Sequence, residues 1–576
     1  RRGRCQLRRT GRSGGGEYPK SGLSAHLQRL SLVITEGSRA ILVQSMSESV
    51  TLLTKELLLM TPARLCRSTL LLALVGLCSP AMATPDHSAP VTPSVPLQRK
   101  NPFAELPAQA QHMLNAWQAP GMAIAVVQDH QVVFLSGFGQ RRKGNPAAVD
   151  SHTRFAIASL TKTFTAAVVG MLAEEGKLRL DAPIKESLSG FTLQDPVATE
   201  QLSLRDILSH RSGIDESADL LWSGTGYDRN EVLRRLREVP QAAPLRSQFS
   251  YSNVMYVLAG ERAASASGQS FESLIRSRIL EPVQMTESGF GIPTAPDGNI
   301  ASPHTQRNAV ITPIAPRILD NIAPAAGLYA SATDLSRWLQ VWLQRGRIEE
   351  KQVLNTTLID AMMTPQTLVG LRPWAKALYP QSHFLAHGFG WMLQDYRGQM
   401  VVWNTGGIDG FSCTLALLPE EKFGVAVLTN VPWTGLPEAM AFHLIDSWLG
   451  STGKDWSGIR LKMSKDSRAR QQAAQTAQQG QQTTTTFAIP TERFVGKYLS
   501  PLLGEALITA SKDGLRLRIA KSLTGKLSPW QANRLRLQFD DAELGAAMAT
   551  FTTSPDGFVQ ALSLEEHGTF TRVPQN

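Results

Sequence analysis

Three short motifs in this 576-residue chain hold residue types suited to covalent hydrolysis. The first is Ser159-Leu160-Thr161-Lys162. A serine hydroxyl is a weak nucleophile until a base within hydrogen-bond reach takes its proton. Residues three apart share a helix face, so Lys162 can lie against Ser159. An amine serves as that base once burial or nearby positive potential lowers its pKa. Phe155, Ile157, Phe164, Ala166 and Val168 surround Lys162 in sequence, a setting in which a solvated lysine is not expected. The second motif is Tyr251-Ser252-Asn253. A phenol beside the Ser–Lys pair can relay protons, and an asparagine, which both donates and accepts, can hold the lysine and a substrate amide together. The third is Trp403-Asn404-Thr405-Gly406-Gly407. Glycines on a strand edge let a substrate backbone approach closely, and a backbone N–H there can complete an oxyanion hole.

Singly, each motif has an ordinary reading as a helix cap, a solvated lysine, a buried tyrosine or a glycine turn. Ser451-Thr452-Gly453-Lys454 repeats the Ser-x-x-Lys spacing, but it follows Gly450 in a polar stretch and opens no apolar helix. Gly11-Arg-Ser13-Gly-Gly15 matches a nucleophile-elbow pattern but lies in a basic leader with no strand before it. His383 and His387 are four apart, yet they lack the glutamate between them and a third ligand that a zinc site needs.

The order Ser-x-x-Lys, Tyr-x-Asn, then a Thr-Gly strand resembles the serine β-lactamase and penicillin-binding-protein superfamily, most of all its class C-related branch of esterases and D-amino-acid peptidases. Leu208-Ser-His-Arg-Ser-Gly-Ile214, Ala325 to Asp334 and Gly388-Phe-Gly-Trp391 are similar to that family too, and the resemblance covers roughly Pro102 to Gly450. It implies that Ser159 is the acylated nucleophile and that Lys162 and Tyr251 share acid/base work. It further implies that Asn253 supports Lys162 and the substrate amide, and that the Ser159 and Gly407 N–H groups form the oxyanion hole. Asn404, Thr405 and Gly406 complete the substrate edge. No metal or organic cofactor is implied. Position 404 departs from the pattern: relatives usually carry Lys or His there, and a neutral amide cannot supply the cation that binds a substrate carboxylate.

The elements that must position these residues are legible in outline. Met122 to Phe138 is two apolar runs around Asp129-His130, a β-hairpin pattern. Ser159 to Glu175 reads as a buried helix stopped by Gly176. Phe423 to Thr429 is a buried strand candidate. Strands at both ends with helices between predict an α+β domain with an antiparallel sheet over 101–460. A Gln/Thr-rich tract over 461–486 reads as a linker, with an Ala/Gln helix as the rival for its first half. From 487 to 576, alternating runs such as Leu515-Arg516-Leu517-Arg518-Ile519, with Asp513-Gly514 and Asp556-Gly557 as turns, predict a small antiparallel β-barrel. It resembles the lipocalin-like barrel that often follows this hydrolase domain.

Charge and leader bound the function class. The net charge is +10, but residues 1–83 hold 12 Lys or Arg and 4 acids, which leaves 46 basic and 44 acidic residues in the body. The body therefore has no electrostatic footprint for nucleic acid. Arg64 and Arg67, the apolar run Ser68 to Cys78, and Ala81-Met82-Ala83 read as a signal peptide over 60–83, too short to span a bilayer. Residues 1–59 read as a non-native or disordered extension upstream of a start at Met46 or Met60, and 84–100 as a disordered tether. Cys413 is the only cysteine after the leader, so no internal disulfide forms. The expectation is a periplasmic or secreted hydrolase of an amide or ester (β-lactam-like, D-amino-acid peptide or small ester). It would have no stable membrane anchor, and oligomerisation is open. The rival readings are a catalytically weak penicillin-binding fold that senses cell-wall peptides, and a ligand carrier centred on the barrel. N-terminal sequencing of the exported protein should begin at Thr84; a mature chain starting before Met46 contradicts this leader.

Overall fold

The structure, a computed structural model, describes residues 103–292, 298–307, 310–432, 434–451 and 453–574. The expected extension, signal peptide and tether over 1–100 lie outside the described residues. The first hairpin forms as its pattern predicts: β1 (Gly121–Gln128) and β2 (Gln131–Gly139) pair around Asp129 and His130. Both turn residues have left-handed φ, 49° and 75°, as a two-residue hairpin turn matching the strand twist requires. The remaining strands of this sheet are β3 (Thr367–Val369), β4 (Leu385–His387), β5 (Met392–Tyr396), β6 (Gln399–Ile408), β7 (Phe411–Leu418) and β8 (Phe423–Thr429). The order is β3-β4-β5-β6-β7-β8-β1-β2, antiparallel throughout, with Ile124 opposite Val427 where the first and last strands of the domain meet.

The central strands are apolar on both sides because both sheet faces are covered. Ala123, Ala125 and Val127 of β1 face one core, while Met122, Ile124 and Val126 face the other. The first core receives α2 (Thr161–Glu174), α3 (Asn253–Ser267) and α4 (Ala332–Leu343). The second receives α1 (Leu106–Trp117) and α5 (Leu436–Trp448). Period-two alternation thus sorts residues between two cores rather than between core and water.

Two local expectations are corrected. The helix begins at Thr161, and Ser159 lies in a 3-10 turn, Ala158–Leu160, just before it. Ala158 is fully buried with φ +45°, which turns the chain sharply from the short strand Phe155–Ala156 and puts Ser159 at the corner. This backbone costs roughly 1–2 kcal/mol in a residue with a Cβ. The second correction is α6 (Trp456–Gln479), which occupies most of the expected linker. Asp455 caps it by accepting from the Gly458 N–H at 2.8 Å, and buried Trp456 anchors it against α5, donating to Asp446 at 2.7 Å. Ala, Gln, Lys and Arg are good helix formers, so a tract unable to build a core still forms a helix once one end is tied down.

The C-terminal segment is a closed barrel of eight strands: β9 (Gly496–Ser500), β10 (Gly504–Ser511), β11 (Gly514–Ile519), β12 (Leu523–Gln531), β13 (Arg534–Phe539), β14 (Ala546–Thr553), β15 (Val559–Leu564) and β16 (Gly568–Arg572). Pairing of Tyr498 with Arg572 closes it. Leu515, Leu517 and Ile519 fill its interior, and the arginines between them point outward. It belongs to the same compact unit as the sheet domain and rests on residues 224–235: the Tyr227 hydroxyl donates to the Leu503 carbonyl at 2.7 Å, and the Lys521 N–H to that of Thr225 at 2.9 Å.

One close approach controls the site. Gly260 of α3 faces Pro324 of the short helix Ala323–Ala326, where an added Cβ would lie 2.4 Å from the proline ring. That helix presents the Ala325 carbonyl to Lys162. A Gly260→Ala substitution should therefore destabilise the fold by about 1–3 kcal/mol through overpacking. The check is the thermal unfolding midpoint, which should fall clearly below wild type.

Candidate active site

The structure brings Ser159, Lys162, Tyr251 and Asn253 into one cluster. The 3-10 turn runs on into α2, so Ser159 and Lys162 keep their common face, and the Lys162 ammonium donates to the Ser159 hydroxyl at 3.0 Å. The Tyr251 hydroxyl lies 2.7 Å from Ser159 Oγ. Tyr251 precedes α3, whose N-cap is Ser252, so Asn253 is the first helical residue rather than the cap. Its Oδ1 accepts from Lys162 at 2.8 Å. The third acceptor for Lys162 is the Ala325 carbonyl at 3.0 Å.

This count matters. A protonated lysine has three N–H donors, and three acceptors surround it. Two of them, Asn253 Oδ1 and the Ala325 carbonyl, cannot give up a proton. A neutral Lys162 satisfies these two with its remaining N–H groups and turns its lone pair toward Ser159. Lys162 is 1% exposed, and this burial pushes its pKa down to about 7, against the opposing pull of the Asp219 carboxylate. At 1.36 kcal/mol per tenfold change in protonation, the drop is worth about 5 kcal/mol in favour of the neutral amine. Tyr251 is 41% exposed, and desolvation pushes its pKa up against the opposing pull of its hydrogen bond with Ser159. Near neutral pH the site therefore holds an amine able to accept a proton and a phenol able to pass one on.

Asp219, which the motifs did not single out, orients the cluster. It accepts from Asn253 Nδ2 at 2.9 Å, which turns the amide oxygen toward Lys162. Burial raises its own pKa, with the Trp222 indole and the Asn253 amide pulling it back. Two buried histidines were also assigned no role. His210 accepts the Ser252 N–H at 3.2 Å and lies 4.5 Å from the Tyr251 ring, 5.0 Å from Tyr256 and 4.8 Å from His387. Burial drives the pKa of His210 well below its usual value and that of His387 down to about 4, so both stay neutral beside the lysine. A carboxylate 34 residues from its partner has no spacing signature. The Leu208–Ile214 stretch was the only signal for His210.

The edge strand arrives on β6. Gly406 packs against the turn before Ser159, where an added Cβ would lie 2.1 Å from the Ile157 carbonyl. This close approach brings Gly407 to the turn that carries Ser159. Thr405 is exposed. Asn404 is committed inside the protein: its Nδ2 donates to the Gly390 carbonyl at 2.8 Å and to that of Ser159 at 3.4 Å, and its Oδ1 accepts the Thr405 N–H at 2.7 Å. It ties the strand to the turn and presents no charge. His383 pairs with Asp395 rather than with His387, and no group of three or more metal-ligating side chains occurs among the described residues.

Residues 108–446 match the beta-lactamase family model, more than half of the chain, and the chain belongs to that family. Residues 481–573, which include the barrel, match a domain of unknown function, DUF3471. The chain is 28% identical over 394 residues to an unguisins hydrolase of Aspergillus violaceofuscus, covering 64% of this chain and 68% of that protein. It is 23% identical over 328 residues to protein flp of Staphylococcus aureus, covering 56% and 61%. The chain thus spans about two thirds of the length of these relatives. The octameric penicillin-binding protein homologue from Pyrococcus abyssi shares the fold, with a TM-score of 0.54 at 21% identity, over 82% of this chain and all of that one.

The site sets a pH dependence. Lys162 is an effective base only when neutral, so kcat/KM should climb as pH rises through about 7 and fall away below it. Asp219 raises the lysine pKa, so Asp219→Asn, which keeps the hydrogen bond to Asn253 and removes the charge, should move that acidic limb to lower pH. A pH–rate profile of both proteins is the check; an unmoved limb means another group titrates.

Proposed function

We propose that the chain is an exported serine hydrolase that works through an acyl-enzyme on Ser159. Its substrate is an amide or ester: a β-lactam-like ring, a D-amino-acid peptide or a small ester. The observation that carries this reading is the contact of Ser159 Oγ with a fully buried Lys162 whose other two acceptors cannot release a proton. Lys162 takes the serine proton as Oγ bonds to the substrate carbonyl carbon. The charge that develops on the carbonyl oxygen meets the Ser159 and Gly407 N–H groups. The bond to the leaving nitrogen or oxygen then breaks, and Tyr251 hands that atom a proton, replenished from Lys162. Water attacks the ester so formed, its proton passing to the same pair, and releases the acid and the free serine.

A relative named for hydrolysing unguisins supports hydrolysis as the reaction. Asn404 argues for a substrate without a carboxylate at that edge, since its amide is neutral and already bonded. The basic, apolar and small-residue order of 60–83 supports export with cleavage after Ala83.

A fluorophosphonate probe should label the wild-type protein and not Ser159→Ala; labelling that survives the substitution ends the assignment. With p-nitrophenyl esters, D- and L-amino amides and a chromogenic cephalosporin as the panel, at least one ester or amide should be turned over tenfold or more faster than the cephalosporin.

A further inference from the structure

A cavity of about 960 Å³ lies where the sheet domain meets the barrel, and Ser159 is not among its walls. Trp222, Arg317 and Ile318 contribute from one side, and Ser522, Asp541 and Glu543 from the barrel. Ligand sites favour such junctions, and this volume lies in their usual range. Two of its wall residues lie a few positions along the chain from residues of the catalytic cluster. Trp222 follows Asp219 by three residues and influences the ionisation of that carboxyl, which in turn holds Asn253. Asp409, also in the wall, sits two residues beyond Gly407, in the tight turn between β6 and β7.

Its surface is apolar and anionic. Ile318 is 69% exposed, and Ile314 and Pro316 stand beside it. Six carboxylates line the chamber against two guanidinium groups; Glu261, Asp409 and Asp541 pair with those two, Glu543 pairs with Arg307, and Asp228 and Asp320 carry the remaining negative charge. Arg229 pairs with Glu261 and Glu272, and Arg317 bridges Asp409 to Asp541. Among the described residues Asp320 makes no ion pair, and Asp228 makes one, to Lys521 at 4.0 Å. A concave surface lined by one sign of charge gathers ligands of the other sign. Resting on the Ser159 reading, we infer that this chamber receives the part of the substrate that extends beyond the reacting carbonyl, and that it selects a short peptide carrying an amine or basic side chain next to an apolar residue. The barrel, as one wall, is then part of the specificity of the site.

Binding can be read apart from turnover in full-length Ser159→Ala. The probes are two capped tetrapeptide amides, acetyl-Ala-Leu-Lys-Ala-amide and its counterpart with Glu in place of Lys, titrated by calorimetry at low salt. The lysyl peptide should bind at least tenfold more tightly. Asp228→Lys with Asp320→Lys, added together, should abolish that preference, and Ile318→Asp should weaken both peptides. Equal affinities for the two peptides overturn the inference, as does an undiminished preference in the folded double-lysine protein. The contrast between the two peptides needs no chamber variant, so a variant that fails to fold does not shield the inference. Failure of the hydrolase reading shows elsewhere, as absent fluorophosphonate labelling of the wild type, and leaves this binding contrast to stand or fall by itself.

Discussion

The site depends on keeping one ammonium group out of water. A buried lysine is tolerated because three acceptors meet it when charged and two still hold it when neutral. Asp219, one residue further out, works against complete neutralisation. Burial alone would lower the pKa of the amine further and make it a weaker base; a directly paired carboxylate would keep it charged. Placing the carboxylate behind an asparagine gives an intermediate result, a lysine that titrates close to neutrality.

The surrounding fold can be understood as the means of holding that arrangement. The left-handed turn at Ala158 lifts Ser159 to a corner, and α2 carries Lys162 directly behind it. The short helix Ala323–Ala326 is held to α2 twice, by Thr165 donating to the Pro324 carbonyl at 2.6 Å and by Lys162 donating to that of Ala325. On the opposite side β6 is drawn in through Gly406, and the amide of Asn404 fastens it to the Ser159 turn. At this edge the neutral Asn404 amide is spent on internal hydrogen bonds and offers no cation to a carboxylate.

The barrel is more than an appendage in this arrangement. It touches the chain on both flanks of the cluster: residues 224–235, just after Asp219, and, through Arg317, the turn that follows Gly407. A loop and a hairpin that would otherwise end in solvent are each tied to a closed eight-stranded body.

The sequence by itself determined the candidate residues and most of the element types. Ser159 and Lys162 were readable because a helical spacing of three is a local property, and Tyr251-x-Asn253 because both residues flank one helix start. The hairpin at Asp129-His130, the strand Phe423–Thr429 and the barrel alternation were readable because strand patterning is local as well. The Gln/Thr tract misled because its composition excludes a core but does not exclude a helix capped by Asp455 and anchored by Trp456. Only the tertiary structure decided that Asp219 stands behind Asn253, that the Ala325 carbonyl completes the lysine's shell, that Asn404 turns inward, and that an acidic chamber opens against the barrel. Each of these joins segments distant in the chain or separate layers of the fold, where no spacing rule applies. Whether a lysine is a base or a solvated cation is set by how much water those distant segments exclude.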